Sequence, residues 1–303
     1  MRGEAGGVPD AGILAVMAPC YRLLALDLDG TLLDPRGQVS PANAAAVTEA
    51  MRAGVQVVLA SGRAPRHMVE FHRALRLPTP IVAYNGAVVY DVARRRAIRH
   101  EPIDLDVARR IALVLKEHDP AINLHVEFQE GPRDRWSVEA MDERLMDSLL
   151  RWQVEPPDSV GDVQALLADE ATRISKLWFY AEAGSMVEIK RRLMEEVQDD
   201  IATLAFDDVT LTILSTGVSK ATAVAWVAEQ LGIAQSEVLA IGDELNDVPM
   251  LGWAGLGIAM GNAKPPAREV VAAMTLSNAE DGVAHAIRRW VLPSAVANIS
   301  SGA

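Results

Sequence analysis

The sequence predicts an α/β protein: an open parallel sheet covered by helices and interrupted by an inserted α+β module. Three observations predict it. Apolar strands end in polar clusters at Asp27–Thr31, Ser61–Arg63 and Gly242–Asp247. Strand, helix and strand follow one another through short loops at both ends of the chain, the pattern of βαβ units in a parallel sheet. Between residues 88 and 206 that order loosens into a mixture of strands and helices, which marks an insertion.

Residues 21–26 form a short buried strand, followed at once by Asp27, Asp29, Gly30 and Thr31. Ser40 caps a helix with Pro41 at its first position, alanine-rich sequence carries it to Ala53, and Gly54 stops it. Residues 55–60 are a second strand. In the insertion, Asp104 starts a helix reaching Glu117, residues 122–128 alternate as a strand, and 142–152 are helical. Residues 173–181 are another strand and 186–197 another helix, and strands at 201–206 and 209–214 flank the turn residues Asp207 and Asp208. Ser219 then caps a helix from Lys220 to Leu231, closed by Gly232. A strand at 238–241 ends at Gly242 and Asp243, and 256–260 is a further strand. The division expected is a discontinuous core of residues 21–87 and 207–293, an inserted domain of 88–206, a disordered leader of 1–20 and a tail of 294–303.

The chain has 303 residues, 50% apolar and 23% charged, enough to bury a substantial core. Its formal net charge of -12 and its lack of a long basic tract speak against nucleic acid as a partner. No stretch reaches the ~18 consecutive apolar residues of a membrane span. Cys20 has no second cysteine to pair with, which fits a reducing, cytoplasmic compartment. The apolar run 13–18 is short, has only Arg2 before it, and meets Pro19 ahead of Cys20, so it reads as a leader or as sequence upstream of a start at Met17 rather than as a secretory signal.

In open α/β sheets, ligands sit at the carboxyl ends of the strands. Asp27 and Asp29, Ser61 and Gly62, and Asp243 end three separate strands and are expected to converge there. Carboxylates so gathered call for a hard cation, and magnesium, which keeps several waters and takes one or two carboxylates plus a phosphate, fits best. An EF-hand reading of Asp27-Leu28-Asp29-Gly30 fails on spacing, because Leu32 and Gln38 stand where that loop needs glycine and glutamate. A plain turn after a strand accounts equally well for this segment taken alone. Lys220, in the first turn of its helix, suits a bound anion, or is an exposed charge that contributes little to folding.

The joint occurrence and order of these segments resemble the Cof-type phosphatases, haloacid-dehalogenase-like hydrolases with an α/β cap inserted between their second and third motifs. Asp27-Leu28-Asp29-Gly30-Thr31-Leu32-Leu33 resembles the first motif, Ala60-Ser61-Gly62-Arg63 the second, Lys220 the third and Gly242–Asp247 the fourth. Tyr84-Asn85-Gly86-Ala87, Ala259-Met260-Gly261-Asn262-Ala263 and Asp281-Gly282-Val283 are similar to further segments of this class. The resemblance implies a Rossmann-like core with a cap and a magnesium-dependent phosphatase acting on small phosphorylated metabolites through an aspartyl phosphate. It implies Asp27 as nucleophile and Asp29 as general acid and then base. Magnesium would lie on Asp27, Asp243 and the main-chain carbonyl of Asp29. Ser61, the Gly62 N–H, Lys220 and Asn246 would grip the phosphoryl group, and Asp247 would support Lys220 or the metal from behind.

Ala221 follows Lys220 where the family usually has glycine, and Ser61 stands in place of the usual threonine while keeping its hydroxyl. Arg133, Arg135 and Trp136 read as a solvated loop with a partly packed ring, or else as a segment turned toward the substrate. Two other functions stay open on sequence: a sugar-phosphate mutase or specialised sugar-phosphate phosphatase of the same superfamily, and a phosphometabolite binder without catalysis. Against the binder stands the presence of both Asp27 and Asp29.

Overall fold

A computed structural model of the protein describes residues 21–131, 133–152, 155–161, 163–204 and 207–292. The expected leader, the expected tail, residue 293 of the expected core and the end of the strand expected at 201–206 lie outside the described residues. Among the described residues no helix is long and apolar enough to cross a membrane.

The strands, in chain order, are β1 (Leu23–Leu26), β2 (Gln56–Leu59), β3 (Ile81–Ala83), β4 (Val88–Asp91), β5 (Arg96–His100), β6 (Leu124–Glu130), β7 (Arg133–Val138), β8 (Ser159–Val160), β9 (Arg173–Tyr180), β10 (Ile201–Leu204), β11 (Thr210–Ser215), β12 (Val238–Gly242), β13 (Leu256–Ala259) and β14 (Ala273–Met274). Five of them make an all-parallel sheet in the order β14-β13-β12-β1-β2. Its central strands carry unbroken apolar runs, Leu23–Leu26 and Val238–Gly242, all buried, as a sheet covered on both faces requires. The helix Pro41–Arg52 packs with Gly282–Ala286, and Lys220–Gln230 packs with Val248–Trp253. Ser40 accepts a hydrogen bond from the Asn43 amide, so the predicted cap and the proline start are both present.

The chain moves outward from β1 in both directions, to β2 on one side and to β12 on the other. Such a reversal of strand order opens a crevice at the carboxyl ends of the two strands, between their following loops. Asp27 and Asp243 are the residues that follow β1 and β12.

A second core is built on the sheet β10-β11-β9-β6-β7-β8, antiparallel apart from its β7–β8 edge. The helices Leu105–His118 and Ala183–Val197 lie together on one face, over Leu124, Val126, Leu177, Phe179, Leu211 and Ile213. Alternation then sends His125, Glu127 and Gln129 of β6 to the other face, level with Trp136 of β7 and with Lys176 and Trp178 of β9. There the helix Glu143–Trp152 contributes Leu145 against Trp136 and Val138.

Two segments sit elsewhere than the sequence reading had them. Thr210–Ser215, assigned to the core, is β11 of the six-stranded sheet, because it pairs antiparallel with both β10 and β9. Val88–His100, assigned to the insertion, forms the β4–β5 hairpin on β3, and its Val88, Val89 and Val92 belong to the core of the parallel sheet. We therefore propose that the inserted domain spans about residues 103–215. Arg133, Arg135 and Trp136, read as a loop, lie on β7, and Trp136 is buried.

Candidate active site

Register places the first acidic cluster. Leu26 pairs with Ile241, so the chain leaves β1 beside the end of β12, and the Asp27 amide donates to the Ile241 carbonyl at 3.1 Å. The turn that follows lies directly on Asp243. At Gly30, φ is +78° and a Cβ would stand 2.2 Å from Asp243 Oδ2, so glycine alone allows this approach. Thr31 Oγ1 donates to Asp243 Oδ1 at 2.9 Å, and Asn262 Nδ2 donates to the Gly30 carbonyl at 2.8 Å and to Asp243 Oδ2 at 3.3 Å.

Lys220 enters from the helix capped by Ser219. At Gly86, φ is +105° and a Cβ would stand 2.1 Å from the Ser219 carbonyl, so this glycine lets the helix start sink into the core. Lys220 is consequently not the exposed helix-start charge of the sequence reading: none of its side chain is exposed. Its ammonium donates to Asp27 Oδ1 and to Asp247 Oδ1, both at 2.6 Å. The second oxygen of Asp247 accepts from the Asp243 and Glu244 amides at 2.9 and 3.0 Å, so Asp247 ties the fourth-motif loop to Lys220.

The second polar cluster follows β2. Ser61 is buried, its amide donating to the Val82 carbonyl and its hydroxyl accepting from the Arg63 amide at 3.2 Å. A Cβ on Gly62 would stand 3.1 Å from Asn85 Oδ1, and that oxygen accepts from Asn246 Nδ2 at 2.8 Å. Asn85 thus joins the Ser61–Gly62 and Asn246 segments. Asn246 Oδ1 is buried without a hydrogen-bond partner among the described residues. Asp29 stands differently: Arg63 takes both its oxygens, Nε to Oδ2 at 2.8 Å and Nη2 to Oδ1 at 2.6 Å, and its side chain is about half exposed.

Asp27, Asp243, Ser61, Gly62, Lys220, Asn246 and Asp247 are therefore brought to one end of the parallel sheet, with Asp29 at their rim on Arg63. Thr31 and Arg63 stood in the polar clusters of the sequence without a role, and Asn85 and Asn262 only within their motifs. At Asn85 the Asn-Gly pair after a strand was a usable signal, since asparagine tolerates the left-handed φ of 55° found there.

One ammonium among three buried carboxylates leaves the cluster short of positive charge. Burial, then Asp247, push the Asp27 carboxyl well above its usual value despite Lys220. Burial and Asp247 likewise push Asp243 from 3.8 up to about 7. For Lys220, burial works against the charge, but Asp247 and Asp27 more than reverse it and hold the ammonium protonated. Carboxylate oxygens of Asp27, Asp243 and Asp247 all lie within 4.8 Å of one another, a hard-oxygen set suited to magnesium. Asp247 spends one oxygen on the Lys220 ammonium and the other on two loop amides, whereas Asp243 accepts only from Thr31 and, at 3.3 Å, from Asn262, and Asp27 Oδ2 has no partner among the described residues. The Asp29 carboxylate is not in this group.

These acidities carry a pH dependence. A raised carboxyl pKa means that the folded chain binds more protons than the unfolded one, so without a cation stability falls as pH rises from 3.8 to about 7 through Asp243, and through Asp27 also. A cation on the ionised pair restores it. Saturating magnesium is expected to raise the melting temperature more at about pH 8 than at about pH 5.5. Scanning calorimetry checks this, and equal gains would contradict the assignment.

The sequence model of the haloacid dehalogenase-like hydrolases matches residues 24–287. The Bacillus subtilis phosphatase YwpJ is 31% identical over 88% of this chain and 99% of its own length. The 5-amino-6-(5-phospho-D-ribitylamino)uracil phosphatase YcsE of the same organism is 29% identical over 89% of this chain and 96% of its own. A solved haloacid dehalogenase-like hydrolase from B. subtilis is similar with a TM-score of 0.78 at 28% identity, covering 89% of this chain and 100% of that one.

Proposed function

The chain belongs to the haloacid dehalogenase-like hydrolases, and from that premise we propose that it is a magnesium-dependent phosphatase of small phosphorylated metabolites, working through an aspartyl phosphate on Asp27. The observation that carries the reading is the buried Lys220 bridging Asp27 and Asp247 beside Asp243 at the switch point of the sheet. Asp27, Asp243 and the Asp29 carbonyl would hold magnesium, which would supply positive charge to offset the carboxylates and the phosphoryl oxygens.

The residues then divide the work. Lys220 holds Asp27 by one oxygen and leaves the other, for which no partner is present among the described residues, to attack phosphorus. Ser61, the Gly62 amide and Asn246 surround the phosphoryl oxygens, and Asn85 keeps the last two in register. As Asp27 bonds to phosphorus, the bond to the leaving oxygen breaks and Asp29 delivers a proton to it. Water then attacks the aspartyl phosphate, Asp29 accepts its proton, and Asp27 is freed as carboxylate. To do this Asp29 must part from Arg63, which holds it here.

The inserted domain is tied to core segments that neighbour the site in sequence, next to Arg63 and Asn85. Arg66 and Tyr84 of the core reach Asp134 and Glu127 on β7 and β6, and Lys176 pairs with Glu127 at 2.5 Å. On that same face His125, Gln129, Trp136 and Trp178 carry buried polar atoms with no hydrogen-bond partner among the described residues. We assign the recognition of the leaving group to this face, which suits sugar phosphates or phosphorylated cofactors. The name of the relative YcsE, a polyol phosphate carried on a heterocycle, agrees in kind. One cysteine in the chain favours a cytoplasmic setting.

A panel of phosphorylated metabolites assayed for released phosphate tests the proposal. Turnover is expected to vanish in excess chelator and return with magnesium, while calcium, whose larger and looser shell distorts in-line geometry, restores little of it. Undiminished turnover in chelator would remove the metal from the reaction.

A further inference from the structure

We infer that the arginine-lined groove between the β4–β5 hairpin and β7 binds a polyanion carrying two or more phosphate groups, a site separate from the residues gathered around Asp27. The groove has a volume of about 770 Å³, and its wall includes Arg66, Arg73, Arg94, Arg95, Arg133 and Arg135, with Asp134 and Asp158 as its acids. An adjoining cavity of about 460 Å³ shares Arg73 and Arg95 and adds Arg76. The chain as a whole has 41 acidic and 29 basic residues, so a groove with this balance runs against its composition.

Internal pairing neutralises part of the charge. Arg66 is bonded to Asp134, Arg94 to Asp91 at 2.6 Å, and Arg135 lies 3.5 Å from Glu130 and 3.4 Å from Asp158. The Arg135 Nε, although at ion-pair distance from Asp158, is buried and makes no hydrogen bond among the described residues. Arg73, Arg95 and Arg133 line the groove and have no ion-pair partner among the described residues. Like charges held together repel, and an anion between them removes that repulsion. Guanidinium groups bind phosphate oxygens in pairs, which makes phosphate the fitting anion.

The backbone adds an independent sign. Arg95, in the turn joining β4 to β5, has φ of 54°, and Arg76 has φ of 55°. Glycine or asparagine occupies that left-handed region at lower cost. An arginine at the strained position of a hairpin turn puts a cation where local structure alone favours another residue, which is the kind of strain found at working sites.

The three unpaired cations stand on different elements: Arg73 on the helix Val69–Ala74, Arg95 on the hairpin turn and Arg133 at the start of β7. Three unpaired guanidinium groups around a groove of about 770 Å³ suit an anion with several phosphate groups, a chain of phosphates or a nucleoside polyphosphate. That anion is either the far end of a substrate whose reacting phosphate lies at Asp27 or a separate ligand.

Titration calorimetry with inorganic tripolyphosphate and with inorganic phosphate tests the inference on the full chain and on Arg73→Ser/Arg95→Ser/Arg133→Ser. The parent is expected to bind tripolyphosphate at least about tenfold more tightly than phosphate, and the triple variant to lose at least about tenfold of that affinity. The variant keeps its melting temperature, because all three side chains are exposed. Equal tripolyphosphate affinity in both proteins, or no preference over phosphate in the parent, overturns the site. Calorimetry needs no turnover, so its result stands whether or not the phosphatase reading holds. Inhibition of p-nitrophenyl phosphate hydrolysis identifies the source of the anion. Competitive inhibition relieved in the variant indicates a bridging substrate, and noncompetitive inhibition relieved in the variant a separate ligand.

Discussion

Lys220→Met is expected to abolish turnover and to lower the melting temperature by roughly 10 °C at neutral pH. Methionine keeps most of the side-chain volume, so the change removes charge and hydrogen bonds rather than packing. Lys220 is wholly buried and donates to Asp27 and Asp247, each at 2.6 Å. Its removal leaves two buried carboxylates facing one another, and breaking a buried ion pair from one side costs about 3–5 kcal/mol. The loss is expected to shrink as pH is lowered, because Asp27, already pushed up by burial and by Asp247, then takes a proton and sheds its charge. Calorimetry of the metal-free protein and steady-state kinetics measure the two effects separately. A lysine exposed at a helix start predicts no thermal effect, so an unchanged melting temperature would contradict the burial, and unchanged kinetics would remove Lys220 from the site.

That contrast shows what could be read in advance. The strand ends were legible because a parallel sheet forces its carboxyl ends to one side: once β1, β2 and β12 are recognised as apolar runs, Asp27, Ser61 and Asp243 must meet. The depth of Lys220 was not legible. It depends on Gly86, far away in sequence, letting the Ser219 carbonyl come closer than any Cβ would permit. Helix capping gave the position of Lys220 along the helix, but a tertiary contact set its burial.

The strand β7 was missed for a related reason. Arg133, Asp134 and Arg135 are charged in succession, and no local pattern marks them as part of a sheet. Asp134 is satisfied by Arg66 from the core, while Trp136 packs on Val138 and Leu145. A charge paired across two domains looks solvated until the partner domain is known. The proposed domain limits differ from the expected ones at β11 and at the β4–β5 hairpin because hairpins stay together: β11 follows β10 into its sheet, and β4 and β5 follow β3.

Asp27→Asn is expected to reduce kcat by several orders of magnitude while leaving the fold intact. The substitution is nearly isosteric, and the Asn oxygen still accepts from Lys220, but a neutral amide is a poor nucleophile and a weaker metal ligand. Removing one of the crowded buried negative charges also relieves repulsion from Asp247 and Asp243, so the metal-free variant is expected to melt at or above the parent temperature. A loss of activity caused by misfolding would lower it. The variant alone does not separate attack by Asp27 from attack by a water held among Asp27 and Asp243, since both mechanisms need the carboxylate. Stereochemistry does. Attack by Asp27 followed by attack of water makes two in-line displacements at phosphorus, and two inversions return the original configuration; a single attack by water inverts it. A substrate chiral at phosphorus, turned over by the parent enzyme in isotopically labelled water, is expected to yield phosphate with retained configuration. Inverted product, or an Asp27→Asn protein that keeps parental turnover without deamidation, would defeat the aspartyl-phosphate route and leave Asp27 as a metal ligand alone.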